Sequence, residues 1–591
     1  MHARFRRSFR LVLAACAAAA TLVAAAAPAS AAVSLASRPR GPSGGRSPLV
    51  LLDPPEVMIG ERLFIETRFA QFFATHAPEN VNAHLEAGDP VMAVTENTAG
   101  IQMRGPFSQE SMNCRACHLV DEQLPVAGGG IRTYNDFTRR SPIPDRGDGR
   151  THTARNSPPL VNASLPRPDG VLLHFDGEFP TDVALVKGTL TGRNFGWLPS
   201  EKRQAIAHIA RVVREDDGGG LLALDFGGHP YRILLAGTDP GIEERYVIPT
   251  PYRIDVTRAT DEQILDAVAR LISAYVRFLQ FERDEEGNFT QSPFDRFLVQ
   301  NHIPLSPARN ESDARFTDRV LRMVNRLTEP EFIDEGRFVF HDQERAFGPL
   351  ELRGLKIFFT RAPKERALTP SERASGGIGN CVACHAAPVF TDFGFHNTGV
   401  TQTEYDAVHG EGSFAALELP DLSERNLHPN DYLPLTALHP AARERFRSPA
   451  SADKPGFTDL GVWNVFANPD FPAPQSKLRL ALCKEAPRGM GPRAPVRGAS
   501  GGRCSQSALL ASAVAAFKTP GLRDLSHAGP YLHDGRFDTL AEVVELYRTN
   551  SDLARAGRLR NAAPDLAGIA LTGSDVDAVV AFLKALNEDY N

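Results

Sequence analysis

Two short motifs in the chain combine cysteine and histidine at a spacing suited to one chemistry. The motif residues are Cys114, Cys117 and His118 in the first copy, and Cys381, Cys384 and His385 in the second. In a Cys-x-x-Cys-His sequence, both thiols can add to the vinyl groups of haem while the adjacent histidine binds the iron. Thiols at this spacing share one helical turn and can reach both vinyl groups. The two copies therefore predict two covalently bound haem c groups.

Chance, a zinc site and a redox Cys-x-x-Cys pair are the alternatives to haem at these motifs. With seven cysteines and 17 histidines in 591 residues, one such motif arises at random in roughly two or three sequences per thousand. A structural zinc site needs four ligands, whereas each motif offers three and has no further Cys or His pair nearby. Haem is therefore the better interpretation, and the N-terminus of the chain supports it.

The first 31 residues have the three parts of a secretory signal peptide. Four basic residues precede an apolar stretch over 11–27, and the small residues 29–31 form a cleavage site. The arginine pair also resembles a twin-arginine signal, but haem c is attached after unfolded export, which favours the general secretory route. A lipid anchor at Cys16 is the alternative reading. We expect cleavage near Ala31 and a periplasmic protein.

Charge and hydropathy restrict the partners of the mature chain. The formal net charge is −6, and loss of the four signal-peptide arginines lowers it by four, to −10. This acidity argues against nucleic acid and is compatible with docking of a basic redox protein. Beyond the signal, no apolar run approaches the ~20 residues that a membrane span requires.

The remaining pattern predicts a mainly α chain with two haem c domains, joined and decorated by long loops. Residues 32–48 are rich in Ser, Pro, Gly and Arg and are predicted to form a disordered linker. Because the motifs lie far apart, we assign one to each domain, 49–300 and 301–591. The apolar periodicity predicts helices at 201–215, 261–279, 350–359, 540–548 and 574–586. An irregular insert or hairpin is predicted at 221–254.

Two cysteines remain after the signal and the motifs are accounted for. Cys483 and Cys504 are expected to pair in an oxidising compartment, closing a loop rich in Pro, Gly and Arg. In the chain-entropy treatment such a closure contributes about 3 kcal/mol. Two free thiols are the alternative.

At several separate blocks the chain resembles the bacterial di-haem cytochrome c peroxidases and their MauG-type relatives. These blocks are 59–64, the first motif, 155–162, 175–177, 267–297, 352–385, 395–399 and 517–591. The last block is the most specific, with Phe-Lys-Thr-Pro-x-Leu-Arg followed by Pro-Tyr-x-His-Asp-Gly. The chain is longer than usual members, with inserts at about 201–260, 300–345 and 402–512. The resemblance implies His118 and His385 as proximal iron ligands.

The resemblance also implies further ligands. In the family, a calcium ion lies between the two domains, held by an Asn side chain and two backbone carbonyls, which correspond here to Asn156, Ala528 and Pro530. Alternatively, Asn156 only caps a turn. The sixth ligand of the second haem corresponds to Tyr547, as in MauG-type enzymes, where peroxidases of the usual type have methionine. An ordinary core tyrosine is the alternative.

The surroundings of the first haem depart from the family pattern. Phe175 stands in place of a tryptophan, and no carboxylate occupies the usual position of the distal glutamate, within 188–200. Cleavage of peroxide requires a proton at the leaving oxygen, so another group must deliver it. The candidates near this region are Glu178, Arg193 and Asn194, with Glu201 as a further carboxylate.

The resemblance implies a periplasmic enzyme that reduces hydrogen peroxide with electrons from a small donor, a cytochrome c or a cupredoxin. A di-haem oxygenase that binds oxygen, or a MauG-type enzyme that oxidises a protein, is the second expectation. A non-catalytic electron-transfer cytochrome is the third. The family precedent also allows a homodimer.

Overall fold

The computed structural model describes most of the chain between residues 53 and 588. The described residues are 53–89, 91, 95–96, 102–103, 111–118, 139–165, 167, 170–338, 343–485, 504–523, 525 and 528–588. All of them belong to one compact unit, Gly44–Asn591. The predicted signal peptide and the linker at 32–48 lie outside the described residues. None of the helices in the described ranges has the length and hydropathy of a membrane-spanning segment.

Helices dominate the structure, which confirms the prediction of a mainly α chain. In the first half they are Pro55–Phe64, Gln71–His76, Asp182–Leu190, Lys202–Glu215, Leu221–Asp225, Tyr231–Ala236, Asp261–Phe278 and Pro293–Gln300. In the second half they are Asp313–Val324, Pro349–Phe359, Pro370–Ser375, Val400–His409, Leu422–Leu427, Pro429–Tyr432, Gln475–Glu485, Gln506–Ser512, Leu540–Arg555 and Gly573–Lys584.

Strands are short and form two-stranded antiparallel pairs. The pairs are Thr95–Glu96 with Gln102–Met103, Ile333–Arg337 with Glu344–Phe347, and Phe395–His396 with Phe517–Lys518. The last pair matters most for the site, because it joins the segment after the second cysteine motif to the C-terminal block.

Two pairs of helices cross closely, and each pair lies in its own apolar core. Helix Pro55–Phe64 packs on Asp261–Phe278, and a Cβ at Gly60 would collide with the carbonyl of Leu271. Helix Pro349–Phe359 packs on Gly573–Lys584, where Gly354 lies against the carbonyl of Ala578 in the same way. Both crossings require glycine for close backbone approach. Each belongs to a separate buried apolar cluster.

The segment 402–512 contributes a third buried cluster of its own. Phe446, Trp463 and Leu478 are almost fully buried in it, together with Phe395 from the segment before it. The segment is therefore more than a surface loop, because it has an apolar core. The segment can therefore hold side chains in fixed positions for the neighbouring cavity.

The predicted helices are present, and two differences have local causes. Helix Leu540–Arg555 extends beyond the predicted end at 548 because Asn550 and Ser551 are buried rather than exposed. The last helix begins at Gly573, one residue before the predicted start, because Thr572 and Asp575 form its capping box. The region 221–254, predicted as an irregular insert or hairpin, folds into short helices instead.

Candidate functional site

The first cysteine motif forms a compact turn anchored to the N-terminal core. Residues Cys114–Ala116 make a 3-10 turn, and the backbone N–H of His118 donates to the carbonyl of Cys114 at 3.1 Å. The Asn113 side chain accepts from the Ala116 N–H at 3.0 Å and donates to the Ile65 carbonyl at 3.1 Å. The turn brings the two thiols and the imidazole together, as covalent haem attachment requires.

One hydrogen bond orients the imidazole of His118. Its Nδ1 lies 3.0 Å from the carbonyl oxygen of Pro158, which favours a proton on Nδ1 and leaves Nε2 available for a metal. Burial lowers the pKa of His118 to about 4, so the ring is neutral at pH 7. A neutral, oriented imidazole is the form that binds iron.

The second motif repeats this arrangement. Residues Cys381–Ala383 form a 3-10 turn, the His385 N–H donates to the Cys381 carbonyl at 2.8 Å, and His385 Nδ1 lies 2.8 Å from the Phe390 carbonyl. Tyr547, on helix Leu540–Arg555, and Cys381 of this motif pack against the same apolar cluster. Burial, with the two thiols of the motif, raises the pKa of Tyr547. The structure thus places Tyr547 near the second motif.

A cavity of about 1000 Å³ adjoins the first motif. Cys114, Cys117 and His118 line it, and so do Val389 and Phe393, which follow the second motif. Only three residues separate His385 from Val389 in the chain. The two motif regions therefore share a wall of the cavity.

The four candidate catalytic residues, Phe175, Glu178, Arg193 and Asn194, all line this cavity. The guanidinium of Arg193 is engaged, since it pairs with Asp148 at 2.9 Å. Glu201, the further carboxylate, pairs with Arg146 at 2.7 Å and is not among the lining residues. Glu178 is thus the candidate carboxylate that reaches the cavity.

Glu178 belongs to a buried charge network that includes residues remote in sequence. Its carboxylate pairs with Arg447, which also contacts Asp176 at 3.0 Å. Asp176 pairs in turn with Arg155, whose guanidinium donates to Asp459 at 2.8 Å. Burial alone would raise the pKa of Glu178, but the charge of Arg447 and a hydrogen bond from His174 lower it. Glu178 is therefore ionised at neutral pH.

Sequence reasoning missed the two residues of this network that come from the segment 402–512. Arg447 lies 269 positions from Glu178, and Asp459 lies 304 positions from Arg155. No local spacing could have indicated either contact. Two cavity-lining cations, Arg167 and Lys518, were also missed, although Lys518 stands within the Phe-Lys-Thr-Pro sequence.

Two of the three predicted calcium ligands, Asn156 and Pro530, are in contact. The amide group of Asn156 contacts the Pro530 carbonyl, and its backbone N–H donates to the His533 carbonyl at 2.7 Å. The amide nitrogen faces the Pro530 oxygen here, so calcium binding would need the amide rotated to present its oxygen.

The structure also contains a disulfide between Cys483 and Cys504.

The donor sets at both motifs fit haem c. Each motif offers two thiols and an imidazole oriented through Nδ1, and the first opens into a cavity of suitable size. A buried guanidinium nitrogen in the cavity wall, Arg167 Nε, has no hydrogen-bond partner among the described residues. Such an atom is expected where a charged cofactor contributes the missing acceptor.

Comparison with known proteins shows similarity over parts of the chain. No family model matches the chain. Over 215 residues it is 26% identical to the cytochrome-c peroxidase IdrP2 of Denitromonas iodatirespirans, covering 36% of this chain and 37% of the relative. Over 72 residues it is 35% identical to the methylamine utilization protein MauG of Methylophilus methylotrophus, covering 12% and 20% respectively.

The solved di-haem peroxidase BthA of Burkholderia thailandensis aligns over 91% of this chain and 86% of its own. The identity is 16% and the TM-score 0.39. The region matched to the Denitromonas peroxidase spans little more than a third of that relative's length. The fold is a mainly helical chain that carries two Cys-x-x-Cys-His turns. Parts of the chain are thus similar in sequence to a cytochrome-c peroxidase and to MauG.

Replacing Arg447 by glutamine is expected to destabilise the fold most at neutral pH and least in acid. In the folded chain the pKa of Glu178 lies below its ordinary value of 4.5, so its ionisation stabilises the fold above that pH. This contribution is lost as the pH falls through the lowered pKa. Breaking a buried pair costs roughly 3–5 kcal/mol. Calorimetric melting temperatures between pH 3 and pH 8 measure the effect.

Arg443 provides the matched control, since it is exposed and makes no ion pair in the described part of the chain. Arg443→Gln should leave the melting temperature unchanged at each pH. Equal losses for Arg447→Gln at pH 3 and pH 8 would contradict the assigned role of the Glu178 charge.

Proposed function

We propose that this chain is an exported, periplasmic di-haem c oxidoreductase that reduces hydrogen peroxide with electrons from a small redox protein. One observation carries the proposal: two cysteine–histidine turns hold oriented imidazoles, and the cavity beside the first turn is also lined by Val389 and Phe393, which follow the second. When bound, the haems supply the electron transfer and the iron site for peroxide. The chain positions them, excludes water and moves protons.

Glu178 is the residue we assign to proton handling. Cleavage of the O–O bond of hydrogen peroxide, with release of water, requires a proton to leave one peroxide oxygen and reach the other. A carboxylate that is ionised, lines the cavity and is held by Arg447 can accept that proton and then donate it to the second oxygen. His174, whose Nδ1 lies 3.5 Å from the Glu178 carboxylate, can exchange protons with it.

Glu178→Gln is expected to lower peroxide turnover by roughly 10²-fold, the usual range for loss of a general acid–base group. The amide keeps the size of the side chain but cannot carry a proton between oxygens. Stopped-flow reduction of peroxide by the half-reduced protein measures this step.

Glu201→Gln is the control for this experiment, because Glu201 is a paired carboxylate that does not line the cavity. It should retain full turnover. Unchanged turnover in Glu178→Gln, with both haems present, would assign proton handling to another group.

Tyr547 is assigned to the sixth position of the second haem. Its side chain is partly buried and packs against the same apolar cluster as Cys381, so its phenol oxygen could serve as a ligand of the second haem. A phenolate ligand favours ferric iron and lowers the reduction potential. Tyr547 would therefore keep the potential of that haem low.

Tyr547→Phe should change the visible spectrum and raise the potential of one haem while leaving the other unaltered. Loss of the phenolate removes a negative ligand, so reduction becomes easier. Spectroelectrochemical titration of the holoprotein measures both properties. Identical spectra and potentials in wild type and variant would remove Tyr547 from the coordination sphere.

A di-haem oxygenase is the second candidate function. The cavity is lined by Leu185, Leu190 and Phe195, side chains that suit bound oxygen rather than peroxide cleavage. Addition of oxygen to the reduced protein separates the two functions. A stable oxygenated spectrum, with no oxidation of a reduced donor protein by peroxide, would favour the oxygenase.

The proposed function also includes a bound calcium ion and an electron-donor protein. Asn156, Ala528 and Pro530 are the proposed calcium ligands, on the support of the contact between Asn156 and the Pro530 carbonyl. The acidic mature charge favours a basic cytochrome c or cupredoxin as donor.

A further inference from the structure

The lysines and arginines of the first cavity fall into three groups by their partners. Five make ion pairs with carboxylates: Arg150, Arg155, Arg193, Arg447 and Arg523. Three are exposed to solvent: Lys202, Arg443 and Lys454. Only Arg167 and Lys518 are at least half-buried in the lining and make no ion pair in the part of the chain that the structure describes.

Arg167 is held in place by backbone and aromatic contacts. Its Nη2 donates to the Ala163 carbonyl at 2.7 Å, and its Nη1 lies 3.5 Å from the Leu172 carbonyl. The guanidinium carbon lies 3.6 Å from the ring centroid of Phe393. The Nε of the same group is buried, with no hydrogen-bond partner among the described residues. One donor of a fixed guanidinium thus remains for an acceptor in the cavity.

The side chain of Lys518 ends at the same backbone carbonyl as that of Arg167. Its Nζ donates to the Leu172 carbonyl at 3.1 Å, so the two cations meet at one oxygen. The Lys518 N–H donates to the Phe175 carbonyl at 2.7 Å, which fixes its backbone to the cavity wall. Burial and the neighbouring charge of Arg167 lower the pKa of Lys518 to about 7.

Two like charges beside one carbonyl are costly in a buried setting. Asp176 acts on Lys518 electrostatically and Asp182 on Arg167, but neither carboxylate forms an ion pair with these cations. Removing unpaired charges from water costs several kcal/mol per ion unless an opposite charge is close. An anion in the cavity would supply that charge and the acceptor for Arg167 Nε.

We propose that Arg167 and Lys518 bind the propionate carboxylates of the haem attached to Cys114 and Cys117. The proposal rests on the proposed cofactor of the first motif. In a c-type haem the thioether bonds use the vinyl groups, and two carboxylates remain on the opposite side of the ring. Guanidinium and ammonium groups are the usual partners of carboxylates in protein interiors. Arg167 and Lys518 would therefore hold the propionate edge of the haem, which the cysteines do not bind.

The test uses the holoprotein and two measurements other than turnover. In Lys518→Gln, removal of a positive charge beside the haem makes reduction harder, so the potential of one haem should fall while the other stays constant. The propionate bending bands in the resonance Raman spectrum should shift in Lys518→Gln and in Arg167→Gln. Lys518→Arg, which keeps the charge, should restore the wild-type potential.

Lys477 supplies the matched control. Its Nζ donates to the carbonyls of Pro180 and Val171 in the same region, at 2.7 Å and 3.3 Å, but it does not line the cavity. Lys477→Gln should leave both potentials and the Raman bands unchanged.

The haem content of each protein distinguishes the two proposals. Two haems per chain, with wild-type potentials and Raman bands in Lys518→Gln and Arg167→Gln, would overturn the propionate assignment and leave the proposed function intact. A wild-type protein without two covalent haems would instead overturn the proposed function.

Discussion

The arrangement around the first cavity depends on the ion pairs of the Asp176 carboxylate. This carboxylate is fully buried, forms an ion pair with Arg155 at 2.5 Å and accepts a hydrogen bond from Arg447 at 3.0 Å. Arg155 also holds Asp459, and Arg447 also holds Glu178. A buried carboxylate without these arginines would carry a large desolvation penalty. The network therefore binds the segment 402–512 to the cavity and fixes the charge of Glu178.

The proposed proton handling depends on the same network, because Arg447 holds the carboxylate of Glu178. Residues 188–200 contribute apolar side chains to the cavity, among them Leu190 and Phe195, together with the polar Arg193 and Asn194. Arg193 is paired with Asp148, whereas Glu178 is paired with a residue of the segment 402–512, which folds around its own core. That segment thus supplies the cation beside the candidate carboxylate.

Local features of the fold could be predicted from the sequence, and the long-range contacts of the site could not. The cysteine motifs and the longer helices depend on spacing within a few residues, so the sequence indicates them directly, as for Asp261–Phe278 with its capping box at Thr260. Glu178 was identifiable as a carboxylate near this region, although its spacing does not match that of the usual distal glutamate. Its partner Arg447 was not, because a contact across 269 positions has no spacing pattern. The boundaries of the two haem domains stay predictions.

The central claim is that the chain holds two haems, and that the one bound through His118 has a position open to peroxide. Electron paramagnetic resonance of the holoprotein, with a haem count from the pyridine haemochrome spectrum, tests it most directly. The account predicts two covalent haems per chain and a high-spin ferric signal in the resting or half-reduced protein. A single haem, or two low-spin six-coordinate haems in both states, would contradict it.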